Sequence, residues 1–260
     1  MKRYLKLYWF FTKTTTQLAL QSRFGSIFFL IGKLIRFFIL FYFLYILVSQ
    51  TKTLAGFDLY QVIFFYATFN LIDVIPQLLL RETYRFRYYV VQGFLDHILT
   101  KPMSPLFRSL FGGSDALDIP MLLLSLGFLI YSGMHIGEIN LTGILLYTFL
   151  VANALIIAFA VHIFILGLGI ITADIDNSVM LYRDVTRMGQ IPVDVYKAPV
   201  SFLITFVLPV GIMITFPVKA LLGILDWQYF LIAVIFSTGS LIASLKFWQF
   251  SLRQYQSASS

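Results

Sequence analysis

One segment of the chain, Leu141–Thr172, contains no Asp, Glu, Lys or Arg. A helix crosses the hydrocarbon core of a bilayer with about 20 apolar residues. The segment is therefore long for one crossing, yet short for two crossings joined by a loop. We predict that it forms a single long transmembrane helix, tilted or kinked within the membrane.

The composition extends this prediction to the whole chain. Of its 260 residues, 59% are hydrophobic and only 12% are charged, and the mean hydropathy is +0.86. Soluble domains are about half apolar and a quarter charged, so we predict an all-α membrane protein. The net charge of +7 fits basic residues that fix membrane orientation and needs no nucleic acid partner. Because the chain has no cysteine, disulfides and thiolate chemistry are excluded.

Six apolar stretches predict six transmembrane helices in a single domain, 1–260. They are residues 27–48, 59–80, 119–131, 141–172, 200–216 and 229–247. If both termini are cytoplasmic, all Lys and Arg residues except Lys52 and Lys219 lie at the cytoplasmic side or in the adjoining helix ends. This asymmetry follows the positive-inside rule and predicts a plasma membrane protein with both ends in the cytoplasm.

Three segments outside these stretches are predicted to lie on the cytoplasmic side. Residues 1–24 have an apolar helical face with lysines beside it, which predicts an amphipathic helix at the lipid interface. Residues 81–115 and 174–198 form the two longer polar loops. Any partner is therefore expected to bind from the cytoplasm.

Residues 81–115 contain an apolar stripe with helical spacing. Its members are Tyr88, Val91, Leu95 and either Ile98 or Leu99. Pro102 disfavours helix at the preceding Lys101, so the helix is expected to end there. We predict one short amphipathic helix across the cytoplasmic face, which is either a plain connector or a docking element. If the helix is a docking element, Leu95→Asp is expected to leave membrane insertion intact but to prevent the partner from driving movement of the spans.

Asp73 is the main ionisable residue predicted to lie in the middle of the membrane. Such residues are costly there, so a charged partner is expected. Lys33 and Arg36 enter the antiparallel first span to a comparable depth, and we predict an ion pair with one of them. The pair either holds two helices together or serves an ion-gradient-driven carrier or channel. Pro209 in the fifth span and Pro217 directly after it are predicted to bend or end helices where packing or a gate requires it.

Catalytic patterns are largely missing. No glycine-rich phosphate loop occurs, and His97, His135 and His162 stand on different segments without metal-ligand spacing. An intramembrane serine protease that pairs His162 with Ser240 would need a Gly-x-Ser-Gly context that the chain lacks. We predict no enzyme activity, no metal and no cofactor bound by this chain.

Four stretches resemble a family of export-type permeases, the type-2 ABC transporter permeases. They are GFLD at 93–96, KPMSPL at 101–106, RMGQIPVDVY at 187–196 and the proline-containing 203–223. The resemblance covers essentially the whole chain in length, number of spans and order of motifs.

The resemblance implies a permease that works as a dimer, with an identical or homologous second permease and with separate ATPase subunits. ATP and Mg would bind to those ATPases. It also implies a coupling helix between spans two and three, formed by Val91, Gly93, Leu95, Asp96, Leu99, Lys101 and Pro102, and a place in the bacterial inner membrane. The many aromatic residues suggest an amphipathic or aromatic substrate, including a cation held by ring faces.

Overall fold

The computed structural model describes residues 2–21, 23–172 and 175–256, and these residues form helices without any strand. The helices are α1 Lys2–Gln21, α2 Arg23–Thr51, α3 Leu59–Leu79, α4 Phe86–Val91, α5 Phe94–Leu99, α6 Pro105–Leu110, α7 Ile119–His135, α8 Leu141–Thr172, α9 Asp176–Arg187, α10 Ala198–Phe202, α11 Phe216–Leu221 and α12 Trp227–Gln254. Short 3₁₀ turns occupy Arg81–Arg85, Ala116–Asp118, Met188–Gln190 and Val193–Val195.

Five helices are long and apolar enough to cross a membrane, namely α2, α3, α7, α8 and α12. The helix α8 is continuous over Leu141–Thr172, so the prediction of one long span is confirmed. The helix α3 is the most enclosed of the five, whereas α2 and α12 expose most of their apolar surface. The all-α membrane fold is therefore confirmed for the described residues.

Buried aromatic contacts join the central α3 to α2. Tyr66 of α3 donates a hydrogen bond from its hydroxyl to the carbonyl oxygen of Phe37, at 3.0 Å, in a buried site. The two rings also pack, with centroids 5.0 Å apart. Hydrophobic burial does not drive association between helices inside a bilayer, so packing and such hydrogen bonds hold them together.

The segment that follows α8 corrects the predicted cytoplasmic loop 174–198. Asp176 begins α9 beside Arg87, 2.8 Å away, at the end of the bundle that carries residues 81–115. Asp194 pairs with Lys219 Nζ at 2.6 Å. Residues 221–224, just after Lys219, line a cleft with Gly56 and Glu138, which lie at the opposite end. From residue 176 onward this segment therefore traverses the bundle; residue 174 lies outside the described residues.

The predicted fifth span, 200–216, is also corrected. Residues 198–207 and 211–221 meet at an angle of 81° around a break that contains Pro209. Both arms line a cleft with Lys219 and Asp226, so the pair enters the bundle and returns to the same end. Pro209 therefore lies at a sharp bend, whereas Pro217 lies in the first turn of α11 without breaking it.

The re-entrant pair packs closely against the traversing segment. Gly189 lies against Val210 and Ile214, and a Cβ atom at residue 189 would approach Val210 Cγ1 to 2.7 Å. With the segment from 176 to 195 as the sixth crossing, the described ends of the chain lie at the same end of the bundle. This end also carries α4, α5 and α6.

Candidate coupling surface and intramembrane cavity

The polar segment after α3 forms two short helices, and this corrects the single helix predicted over residues 88–99. The break falls at Gly93, whose φ of +71° lies in the left-handed region. Side chains with a Cβ rarely adopt this conformation, so glycine suits the position. The chain turns here between α4 and α5.

The inner faces of α4 and α5 belong to a buried hydrophobic cluster. Leu95 is 0% exposed, and Ile98, Phe86 and Val90 are also buried. They share this cluster with residues of α8 and α12, among them Ile163, Leu166 and Trp248. The predicted docking role of Leu95 is therefore corrected, because its side chain faces the core and is closed to a partner.

Four apolar side chains point outward from the same two helices. Tyr88, Val91, Phe94 and Leu99 are 58%, 48%, 41% and 37% exposed, and we call them the exposed patch. The rings of Tyr88 and Phe94 stack with centroids 5.3 Å apart, which joins the two helices across the turn at Gly93. Lys101 and Pro102 are exposed beyond the end of α5, whereas Asp96 is half-buried. Tyr88 and Phe94 were missing from the coupling residues predicted from the sequence, although Tyr88 belonged to the stripe.

A buried ionic group holds the support of this patch. Glu82 accepts hydrogen bonds from Arg108 Nη1 at 2.6 Å and from the Tyr89 hydroxyl at 2.5 Å. Burial and the Glu82 carboxylate raise the pKa of Tyr89, so the hydroxyl keeps its proton. Burial alone would lower the pKa of Arg108, but Glu82 raises it above the ordinary value. Removing one member of a buried pair costs about 3–5 kcal/mol, so this group fixes α4 to α6.

The N-terminal helix α1 lies along the return segment that ends the polar region. Arg3 Nη2 donates to the carbonyl oxygen of Pro102 at 3.0 Å, and the hydroxyl of Tyr4 accepts from the Ser104 amide at 3.3 Å. Farther along, Thr15 donates to the carbonyl oxygen of Ser114 at 3.1 Å. These contacts attach α1 to residues 102–114, while its position at the lipid interface stays a prediction.

A second polar site, a cavity of about 50 Å³, lies between α2, α3 and α9. Its charged and amide-bearing wall residues are Lys33, Arg36, Asn70, Asp73, Gln77, Arg183 and Gln190. Arg183 and Gln190 reach this depth because the segment that carries them traverses the bundle. The hydropathy pattern gave no sign of this crossing, since the segment carries Arg183 on the cavity wall and the exposed pair Asp184 and Arg187.

The structure pairs Lys33 with Asp118, which corrects the predicted ion pair with Asp73. The Asp73 carboxylate instead accepts a hydrogen bond from Gln77 Nε2 at 2.7 Å, and Gln77 Oε1 accepts from Lys33 Nζ at 3.4 Å. Arg36 likewise has no ion pair with Asp73 within 4 Å. The sequence did offer one indication that Asp118 could pair with Lys33, because Asp118 directly precedes the apolar stretch that starts at residue 119.

The two candidate protease residues make local contacts. A ring nitrogen of His162 lies 2.7 Å from the carbonyl oxygen of Ala158, one turn earlier in α8. The Ser240 hydroxyl donates to the carbonyl oxygen of Ser237 at 2.9 Å. These contacts fit packing roles within α8 and α12.

The fold and its buried polar cavity define a multi-pass α-helical membrane protein. The model of the ABC-2 family transporter proteins matches residues 34–259, most of the chain. This chain belongs to the ABC-2 transporter family, which confirms the resemblance seen in its motifs and makes it a membrane component of a transport system. Searches of curated proteins and of solved structures gave no match.

Proposed function

We propose that this chain is the permease subunit of an ATP-driven exporter. It works as a dimer with an identical or homologous permease and is driven by separate ATPase subunits that bind ATP and Mg. The exposed patch carries this proposal, because four apolar side chains on two short helices stand out from a fully buried support. An apolar patch of this kind suits a groove on a partner protein.

The geometry supports a mechanical route from the patch to the cavity. Leu95 and Ile98 fix α5 to the cluster shared with α8 and α12, so α5 moves together with these spans. On the other side, Arg87 next to the patch contacts Asp176 at the start of α9. An exposed ion pair adds at most about 1 kcal/mol to stability. The pair matters here because it places α4 in contact with α9. The same helix α9 carries Arg183 to the cavity wall.

The charge distribution supports a cytoplasmic position for the patch. The opposite end of the bundle carries Lys52, Lys197 and Lys219 as its basic residues among those described, whereas the patch end carries many Lys and Arg. Under the positive-inside rule, the patch end and both termini face the cytoplasm. We also propose the bacterial inner membrane as its location, as the resemblance to export-type permeases implies.

A pull-down of the tagged chain from its native cells, followed by mass spectrometry, tests the proposal. We expect an ATPase subunit to co-purify with the wild type and with Leu99→Met, which keeps the patch apolar. The double variant Val91→Asp/Leu99→Asp should insert normally and lose the ATPase, because two carboxylates would be buried in the interface. An ATPase retained by the double variant, or absent from the wild type in several mild detergents, would contradict the proposal.

An ion-gradient-driven carrier is a second candidate, favoured by the position of Asp73 on the cavity wall beside Gln77. Such a carrier should lose transport in Asp73→Asn and should tolerate aspartates in the exposed patch. The exporter should require ATP and the patch. Transport assays with these two variants, with and without a proton or sodium gradient, separate the candidates.

A further inference from the structure

The charges on the cavity wall do not balance. Lys33, Arg36 and Arg183 line the cavity, and Lys33 is neutralised by its pair with Asp118. Asp73 is the carboxylate that lines the cavity itself, and its hydrogen bond comes from the neutral amide of Gln77. Within the part of the chain that the structure describes, no carboxylate lies within 4 Å of Arg36 or Arg183. The group therefore holds one positive charge in excess.

Two unpaired guanidinium groups at this depth favour an anion. Charged side chains within a membrane are costly and are commonly paired or facing a cavity. A guanidinium offers five N–H donors and no acceptor, in a planar arrangement that matches carboxylate, sulfate or phosphate oxygens. The neighbouring amide of Asn70 is already used, since it donates to the carbonyl oxygen of Tyr66 at 2.7 Å. The unused charged donors at the cavity are thus those of the arginines, and the neutral amide of Gln190 lies on the same wall.

The surroundings of the cavity add an apolar surface. Arg36 is itself exposed on α2, and Ile35, Phe38 and Ile39 beside it are also exposed. A volume of about 50 Å³ suits a headgroup and is too small for a whole amphipathic molecule. A headgroup held by the arginines would leave its apolar tail along this face of α2.

We infer that Arg36 and Arg183 bind the anionic headgroup of an amphipathic molecule, with a carboxylate, sulfate or phosphate group, as the site for the exported substrate. The assignment of this molecule as the substrate rests on the proposed function. An anionic substrate replaces the cationic substrate suggested by the aromatic composition, because the excess positive charge of the cavity wall would repel a cationic substrate. Asp73 opposes the bound anion and limits its affinity.

Equilibrium binding to the full chain in phosphatidylcholine nanodiscs tests the site. Radiolabelled dodecyl phosphate is the probe, dodecyltrimethylammonium carries the same tail with a positive charge, and empty nanodiscs correct for partition into lipid. We expect saturable binding of dodecyl phosphate and none of the cation. Equal binding of both probes, or binding no greater than to empty nanodiscs, would overturn the inference.

Variants assign the binding to the named residues. Arg36→Gln and Arg183→Gln should each weaken dodecyl phosphate binding by about tenfold or more, as expected for loss of a charge-assisted hydrogen bond. Arg183→Lys should bind dodecyl phosphate more tightly than Arg183→Gln but less tightly than the wild type, because it keeps the charge and loses the planar donor arrangement. Asp73→Asn should strengthen binding, and this opposite sign separates a charge effect from misfolding. Arg253→Gln is the control, because Arg253 is an exposed residue in the last turn of α12 and does not line the cavity.

A second arm distinguishes a lipid headgroup from a free anion. If anionic lipid occupies the site, phosphatidylglycerol in the nanodiscs should raise the apparent Kd of dodecyl phosphate, and Arg183→Gln should remove this competition. If the site selects a free anion, phosphatidylglycerol should leave the Kd unchanged. Unchanged affinity in both Gln variants would refute the site in either case. Since no ATPase is present, failure here leaves the coupling proposal standing, and failure of the pull-down leaves the site standing.

Discussion

At the scale of single residues, Phe94 and Leu95 are neighbours in the chain that serve opposite purposes. Phe94 stands in the exposed patch, whereas Leu95 fills the cluster beneath it. In the proposed function, Phe94 contacts the partner, while the buried Leu95 holds α5 in place beneath it. Stability and coupling are separable at this site, residue by residue.

Leu95→Ala should lower the thermal stability of the protein strongly, since truncating a buried leucine costs about 2–5 kcal/mol. Leu99→Ala, on the exposed patch, should change stability by about 0.5 kcal/mol or less. Melting temperatures in one detergent, followed by size-exclusion fluorescence, provide the comparison. Equal losses in the two variants would show that the burial assigned to Leu95 is wrong.

The residues at membrane depth show how far sequence reasoning reaches at this scale. The prediction that Lys33 or Arg36 pairs with Asp73 was wrong for Lys33, which pairs with Asp118. The choice of Asp73 over Asp118 was wrong because depth alone was compared, while the partner depends on how α2 and α7 are rotated. Such rotations follow from packing among several helices, which one sequence does not disclose.

At the scale of secondary-structure elements, the turn at Gly93 determines where the patch points. A helix continued through residue 93 would rotate α5 relative to α4 and separate Tyr88 from Phe94. The sequence indicated helix on both sides of Gly93 but not the break, because an isolated glycine is tolerated within a helix. The break is visible only once the left-handed φ is known.

Gly93→Ala should therefore weaken ATPase binding and reduce stability, because a side chain in the left-handed region costs about 1–2 kcal/mol. Gly127→Ala is the control, since a Cβ at this helical position in α7 has open space around it. Pull-down yields and melting temperatures should both fall for the first variant and hold for the second. A loss shared by both variants would contradict the role of the turn.

The element missed most completely was α9 with its continuation. Hydropathy favours the apolar 200–216 as a span, and the charged residues of 176–195 favour a loop. The structure reverses the two, because the charged segment runs between the two ends of the bundle while the apolar segment folds back at Pro209. Hydropathy measures preference for lipid, so it does not recognise a crossing segment that carries charged side chains such as Asp184 and Arg187.

At the scale of the whole molecule, five helices are long and apolar enough to cross a membrane, and the predicted fifth span forms a pair bent by 81°. With residues 176–195 as a further crossing, the described ends of the chain, residues 2 and 256, lie at the same end of the bundle. Lys197, however, was predicted to lie on the cytoplasmic side, whereas the structure places it at the opposite end of the bundle. Its accessibility therefore tests the topology directly. The chain has no cysteine, so single cysteines can be labelled without background.

Lys197→Cys should react with a membrane-impermeant maleimide in cells whose inner membrane is intact. Glu138→Cys is the reference for that outer side, and His97→Cys is the reference for the cytoplasmic side; all three residues are exposed. We expect residue 197 to label as residue 138 does. Labelling only after permeabilisation, as expected for residue 97, would restore 174–198 as a cytoplasmic loop.

The central claim is that a separate ATPase drives this permease through the exposed patch. Photocrosslinking in native cells tests it most directly, with p-benzoylphenylalanine placed at Phe94 and, as control, at the exposed Met134 at the opposite end of the bundle. We expect a crosslinked ATPase subunit from position 94 and none from position 134. No ATPase crosslink from position 94, in a protein that is inserted and exporting, would contradict it.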